Sequence, residues 1–389
     1  MALRDDLTAL QKQGSDRANM APKEAWRPHL EIDQDGGYFI TSPRTAGGSD
    51  DAKTMMAEFD LDPNQWEITG LRRSKWQRYD GEWLEAFRVA VRPRGYIKAA
   101  LDIDRLVNEI KKWRPPKNIK KQTGDLTAIY NVGDTQWGKD AGDGTDGTIR
   151  RIRAGIEASI ARQKELKHRG IGQICLPQLG DCIEGVVSQG GKIAGRLDLP
   201  LTAQIRLGRR ILVEWIKAMA PLTTSLVIPV VPGNHDESHR QLITDPIDSW
   251  QIEIAAAAEE ICRENPELAH VEFRYPERDN TTLAVDLSGV VVGFAHGHQA
   301  NDVIRWWHGQ AMGHTPVGHA SVLITAHRHH YRVEQVGPNL WIQIPAMDGG
   351  SAWWRDRTGM DAPTGIVGLV VGDGYDPRRD LTVLAGQIR

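Results

Sequence analysis

The chain reads as a layered α/β protein, and three observations lead there. Five short apolar runs, at 126–132, 174–179, 226–231, 290–295 and 322–326, have the length and composition of buried strands. Each is followed by a side chain able to bind a metal. Asp134 and Gln136 follow the first, Asp181 the second, Asn234-His235-Asp236 the third, His296 the fourth, and His327 and His329 the fifth. Between the earlier runs lie stretches of helical periodicity, 148–168, 203–220 and 247–264. Alternating strands and helices put active residues on loops at the carboxyl ends of the strands, so the pattern predicts one site at one edge of a sheet.

The remaining elements follow from local signals. Residues 341–345, 365–371 and 381–384 look like strands with few helices between them, and they are expected to pair in a second sheet that completes a sandwich. Residues 1–50 are polar, with Gly36-Gly37 and Gly47-Gly48, and are expected to form a partly disordered arm. Residues 51–122 are expected to form a small basic α+β appendage and linker. A short helix at 51–60 precedes two strands, 66–79 and 83–91, that flank Asp80-Gly81, a dipeptide suited to a tight hairpin turn. Phe87, Val89 and Val91 alternate with Arg88 and Arg92, the pattern of a half-buried strand with a basic outer face. A helix at 103–113 ends at Arg114-Pro115-Pro116, because proline cannot continue it. Residues 123–389 are then the catalytic domain. No repeat, heptad or low-complexity tract interrupts them.

Composition narrows the class. A hydrophobic fraction of 40% and a charged fraction of 25% suit a soluble globular protein. No apolar run approaches the roughly 18 residues of a membrane span, and no N-terminal stretch joins a basic start to an apolar middle and a cleavage site. A cytoplasmic location without a membrane partner is therefore expected. Cys175, Cys182 and Cys262 form no disulfide framework and lack paired metal-finger spacing. The net charge of -3 hides an asymmetry, since residues 66–122 carry 15 Lys and Arg against 7 Asp and Glu. A basic segment joined to an acidic body suits contact with a polyanion.

The most specific block is Gly233-Asn234-His235-Asp236, at the end of an apolar run. With Asp134-Thr135-Gln136, Gly180-Asp181, His296-Gly297 and His327-Arg328-His329 it makes an ordered set that resembles the calcineurin-like metallophosphoesterase superfamily over roughly residues 124–350. In outline it is similar to the double-strand-break repair exonuclease branch, in a phage-encoded form with its own N-terminal extension. The resemblance implies a four-layer α/β/β/α sandwich with a small α+β N-terminal extension. It also implies two divalent ions, Mn2+ favoured over Fe2+ or Zn2+. Asp134, Gln136 and His329 would hold one, Asn234, His296 and His327 the other, and Asp181 would bridge them. A carboxylate can span ions roughly 3.5–4 Å apart, and mixed oxygen and imidazole ligands suit these metals. The reaction implied is hydrolysis of a phosphodiester by a hydroxide activated between two metals. His235 would act as general acid, and Asp236 would hydrogen-bond His235 and raise its pKa.

Two departures from the superfamily pattern stand out. Gln136 takes the place of a His, which should weaken that ion, and Glu184 takes the place where the repair-nuclease branch has a His. Taken singly, Asp134 and Asp181 would also serve as turn residues beside Gly133 and Gly180. His298 and His330 read as neighbours of ligands rather than ligands, while His308, His314 and His319 lie in a Gly-containing stretch that could line the cleft.

Two features point to nucleic acid as the substrate. The segment Lys111-Lys112-Trp113-Arg114, continuing through Lys117, Lys120 and Lys121, mixes cations with an aromatic ring, and the hairpin adds Arg72, Arg73, Lys75, Trp76 and Arg78. Trp306-Trp307 and Trp353-Trp354 offer further stacking surfaces, although Trp76 and Trp113 would equally serve to anchor the appendage. The expectation is a DNA exonuclease or endonuclease, with an ATPase partner suggested by the repair-nuclease resemblance. The alternatives are a phosphodiesterase or phosphatase acting on nucleotides or other small phosphoesters, and a degenerate phosphoesterase that only binds DNA or a partner. No feature specifies an oligomeric state.

Overall fold

The computed structural model describes residues 28–33, 36–47, 51–93, 103–117, 119–187, 197–239, 245–350 and 362–385. They fall into two compact units, Met1–Ala100 and Leu101–Arg389. Among them no helix is long and apolar enough to cross a membrane.

The first unit is an antiparallel sheet backed by a short helix. Its elements are β1 (His29–Asp33), β2 (Gly36–Ile40), β3 (Arg44–Thr45), α1 (Ala52–Ala57), β4 (Trp66–Gln77) and β5 (Trp83–Pro93). Strand β5 is central, pairing with β2, β3 and β4. The hairpin of β4 and β5 forms at Asp80-Gly81 as expected, closed by the Arg78 amide donating to the Glu82 carbonyl at 2.8 Å. Phe87, Val89 and Val91 point inward onto Phe39, Met55, Met56 and Leu61, while Arg88 is exposed. β1 and β2 lie within residues 1–50, the expected partly disordered arm. Tyr38-Phe39-Ile40 supplies a buried strand residue, which the flanking glycines and polar residues hid from composition alone. Residues 1–27 of that arm lie outside the described residues.

The second unit carries α2 (Ile103–Lys112), β6 (Leu126–Asn131), α3 (Gly144–Glu165), β7 (Ile171–Cys175), α4 (Leu201–Met219), β8 (Ser225–Pro229), α5 (Trp250–Arg263) and β9 (Val271–Arg274). There follow β10 (Thr282–Leu287), β11 (Val290–Ala295), α6 (Val303–Met312), β12 (Val322–Thr325), β13 (Arg332–Val336), β14 (Asn339–Gln343), β15 (Ile366–Val371) and β16 (Thr382–Leu384). One sheet runs β16-β15-β6-β7-β8-β9 and the other β10-β11-β12-β14-β13. Period-2 alternation sorts their side chains into three layers of core. From β6, Ala128 and Tyr130 face the helices α2 to α5, while Ile129 faces the other sheet. From β12, Val322 and Ile324 point between the sheets, and Leu323 points out under α6. The result is the α/β/β/α sandwich that the sequence predicts. α4 shows why its face is buried: Ile211, Leu212, Trp215, Ile216 and Met219 recur at the three- and four-residue spacing of one helix side.

Two points of topology differ from expectation. β14 joins the second sheet, but β15 and β16 do not: β15 lies antiparallel to β6 and extends the first sheet. Apolar periodicity reports burial, not partnership, and a strand buried on both faces fits either sheet. The five ligand-bearing strands also divide, β6, β7 and β8 in one sheet and β11 and β12 in the other. The site therefore sits at one edge of a sandwich, fed by both layers. Helix α2 belongs to this second unit. Its Ile110 is fully buried, and Asn265 Nδ2 donates to the carbonyls of Ile110 at 2.6 Å and Trp113 at 2.9 Å.

Phe294 fills the space between the sheets and is among the largest fully buried side chains. Phe294→Ala should lower the unfolding free energy by about 3–5 kcal/mol, transfer and cavity terms together. Urea denaturation checks this, and a loss below about 1 kcal/mol would mean that the sheets close over the gap.

Candidate metal centre

The strands stop, but their pairing does not. Beyond β6 and β7 the two loops run on side by side: the amide of Asp134 donates to the Gly180 carbonyl at 3.1 Å, Gln136 to Asp181 at 3.0 Å and Trp137 to Cys182 at 2.9 Å. This zipper brings the first two ligand blocks together. Asp236 joins the third block to them. Its buried carboxylate accepts from the amides of Asp181 at 2.6 Å, Gly233 at 3.1 Å and Ile183 at 3.3 Å, and from Cys182 Sγ at 3.2 Å. From the second sheet, the His327 amide donates to Asp134 Oδ2 at 2.8 Å, and the Ala326 amide to the His296 carbonyl at 2.8 Å.

The backbone records how tightly these loops are held. Of the ten non-glycine residues with left-handed φ among the described residues, five are proposed ligands: Asp134 (51°), Gln136 (41°), Asp181 (51°), His327 (68°) and His329 (58°). A non-glycine residue there costs on the order of 1 kcal/mol or more and persists only when its surroundings over-determine it. Such strain clusters at functional sites, and here it falls on five of seven side chains chosen for their chemistry.

The side chains converge. Donor atoms of Asp181, His296 and His327 all lie within 4.8 Å of one another. His296 Nε2 is 3.0 Å from Asp181 Oδ2, and His329 Nε2 is 3.2 Å from Asp134 Oδ1. His296 Nδ1 donates to the Leu179 carbonyl at 2.7 Å, which turns Nε2 toward the cluster, the second contact typical of a ligating imidazole. The buried Asn234 Oδ1 makes no hydrogen bond. A buried polar atom left so is rare, and a cation beside it would supply the missing partner. The donor set of carboxylate, amide oxygen and imidazole thus fits a divalent ion of the Mn, Fe or Zn type.

Charge is balanced within the cluster. Burial opposes ionisation of Asp181, yet the imidazoles of His296 and His235 and the His235 amide hold its carboxyl well below the usual range. Burial likewise opposes a charge on His296 and on His235, but the Asp181 carboxylate raises each to about 9. Burial, then the charge of His296, pushes His327 down to about 4. Asp236 is raised to about 6, by burial and by the Asp181 charge. Protons on the imidazoles compensate the buried acids, a role that a bound cation would take over.

One expectation is corrected here. Asp236 is not paired with His235; its oxygens accept from the amides of Asp181, Ile183 and Gly233 and from Cys182 Sγ, so it positions the Asp181 loop. The acid beside His235 is Glu184, whose Oε2 lies 3.4 Å and whose carbonyl lies 3.2 Å from Nδ1. Sequence reading also missed Lys139 and Asp348. Lys139 Nζ donates to Gln136 Oε1 at 2.6 Å and pairs with Asp348, which lies 3.7 Å from His329 Nδ1. Asp348 follows a strand end, as the ligands do, and that was its one available signal.

The proposed nucleic-acid contacts fall in both units. In the first, Arg72, Lys75 and Trp76 are exposed, and Lys75 stacks over Trp83 at 5.1 Å. Arg73 donates through Nε to the buried Glu85 at 2.8 Å, so its charge is largely committed. In the second, Lys111 pairs with Glu264 at 2.9 Å, Lys112 is exposed, Arg114 donates to the Lys111 and Trp113 carbonyls, and Trp113 packs on the helical core. Trp307 is buried, its Nε1 donating to the Val317 carbonyl at 2.9 Å, while Trp353 and Trp354 lie outside the described residues.

Comparisons with family profiles and with curated proteins find no match. Among solved structures, an archaeal phosphodiesterase is 16% identical, with 66% of this chain and 99% of that one covered and a TM-score of 0.31. Vps29 of Entamoeba histolytica complexed with zinc is 14% identical, with 64% and 87% covered and a TM-score of 0.31. A protein of Streptococcus pneumoniae TIGR4 described as a predicted phosphoesterase is 13% identical, with 64% and 86% covered and a TM-score of 0.27. At these values the likeness carries no weight for the chemistry, which rests on the geometry of the site.

A Cβ at Gly233 would lie 2.1 Å from Asp181 Oδ1 and 2.2 Å from the Asp181 amide, both held in place by other bonds. Gly233→Ala should therefore displace the Asp181 carboxylate and weaken Mn2+ binding at least tenfold, read by calorimetric titration. Unchanged binding would show that Asp181 is not held where the ions are proposed to sit.

Proposed function

We propose that the chain is a metal-dependent phosphodiester hydrolase, and that its substrate is DNA. The observation that supports the first half is that donor atoms of Asp181, His296 and His327 lie within 4.8 Å of one another, with His329 facing Asp134 beside them and five of the seven candidate ligands on left-handed backbone. Structural ion pairing alone does not explain strain placed on those residues. Asp134, Gln136 and His329 would hold one ion and Asn234, His296 and His327 the other, with Asp181 between. When bound, such ions lower the pKa of a shared water toward neutrality and polarise the phosphoryl oxygens.

The chain's own groups supply the rest. Asp236 fixes the Asp181 loop, and Leu179 and Asp134 orient His296 and His327 through their backbone contacts. His235 is only 16% exposed through its side chain, next to Asp181 and Glu184, whose charges raise its pKa against the effect of burial. It is placed to donate a proton to the leaving oxygen, with Glu184 as the positioning residue behind its Nδ1. No protein nucleophile is required.

Support for DNA comes from the first unit. Arg72 and Arg88 stand directly opposite on neighbouring strands. Like charges so placed repel, and a phosphate between them would relieve the repulsion. Trp76, 37% exposed, and the exposed Trp83 lie along the same hairpin and suit base stacking. The engagement of Arg73 by Glu85 and of Lys111 by Glu264 favours the second reading, a phosphodiesterase or phosphatase on small phosphoesters, because it removes cations from any polyanion track.

Three outcomes test these readings. Asp181→Ala, or removal of metal by chelation with restoration by Mn2+, should abolish hydrolysis of both DNA and bis-p-nitrophenyl phosphate; activity that survives both would exclude the metal mechanism. His235→Ala should slow DNA hydrolysis by about 10²–10⁴-fold but barely affect the p-nitrophenyl ester, whose leaving group needs no proton. Equal losses on the two substrates would remove the general-acid role. Full-length Arg72→Ala/Lys75→Ala should flatten the dependence of log binding constant on log salt for DNA by about 2, and an unchanged slope would favour the small-phosphoester reading.

A further inference from the structure

Gln136 stands where an imidazole would be the expected ligand, and the structure offers a reason. Lys139, three residues later, is pinned by its own backbone: its amide donates to the Gln136 carbonyl at 3.1 Å, and it bridges to Leu197. Its ammonium is thereby delivered inward, where Nζ donates to Gln136 Oε1 at 2.6 Å and pairs with Asp348. The Lys139 side chain is 19% exposed and that of Asp348 only 4%. Asp348 in turn faces His329, and His329 faces Asp134. The ammonium thus touches Gln136 directly, and reaches His329 through Asp348 and Asp134 through His329 in turn.

We propose that Lys139 is a resident cation of that first position, so that its divalent ion binds weakly and after the other. The inference rests on the metal-hydrolase reading. The choice of Gln136 follows from acceptor chemistry. An amide oxygen has two lone pairs, so one can accept from Lys139 while the other faces an ion. A neutral imidazole has a single acceptor nitrogen and could not do both. The ammonium also places a like charge beside the incoming ion and neutralises Asp348, which removes attraction that the ion would otherwise feel. The second position, built from Asp181, Asn234, His296 and His327, has no such lysine among its contacts within the described residues.

Titration of Mn2+ into metal-stripped, full-length protein tests this, with free ion counted by electron paramagnetic resonance and the paired state read from spin coupling. Wild type should take up one Mn2+ tightly and a second at least tenfold more weakly. Lys139→Gln should tighten the second ion about 10–100-fold and leave the first unchanged. Because Lys139→Gln strands a buried acid and could unfold the site, Lys139→Gln/Asp348→Asn removes both charges together and should still tighten the second ion, by a smaller factor. Two ions of equal affinity in wild type, or a second affinity unmoved in both variants, would overturn the role of Lys139 while leaving the metal centre intact. No uptake of Mn2+ by wild type or either variant would instead overturn the metal-hydrolase reading, and this inference with it.

Discussion

A single buried carboxylate holds the site together. Asp236 gathers amides from the second and third ligand loops, and in doing so it decides where Asp181 stands. Removing it would leave several buried donors without partners, each at about 1–3 kcal/mol. The burden is electrostatic as well, since burial and the nearby Asp181 charge push Asp236 up. The imidazoles of His296 and His235 around Asp181 make that arrangement tolerable. Ligand geometry here is a product of backbone hydrogen bonding first and of side-chain chemistry second.

Much of this was legible in the sequence, and for identifiable reasons. Short apolar runs that end in Asp, Asn or His carry both burial and chemistry in a few residues, so Asp134, Asp181, Asn234, His296, His327 and His329 could be singled out before any fold was known. Sheet membership was not legible, because Ile366 to Val371 are buried throughout and buried strands show no face. The acid behind His235 was misassigned to Asp236 because the two are adjacent. In a turn whose backbone reverses, the neighbour in sequence points elsewhere, and Glu184 arrives from another loop. Lys139 and Asp348 are 209 positions apart, and no local pattern links them.

The basic segment illustrates the difference between composition and availability. Its excess of cations is real, but Arg73 is spent on Glu85 and Lys111 on Glu264, while Trp113 belongs to a core. The charges divide between two compact units. What stays exposed on the hairpin is a smaller set, Arg72, Lys75, Trp76 and Arg88, with Lys75 over the Trp83 ring and Arg88 over the Tyr38 ring.

The left-handed backbone at five ligand positions has a bearing on how much heat the protein withstands. Glycine would sit more comfortably at each of these positions. The chain therefore stands below the melting temperature that its own fold would allow, and the deficit is concentrated in a few residues of one small region.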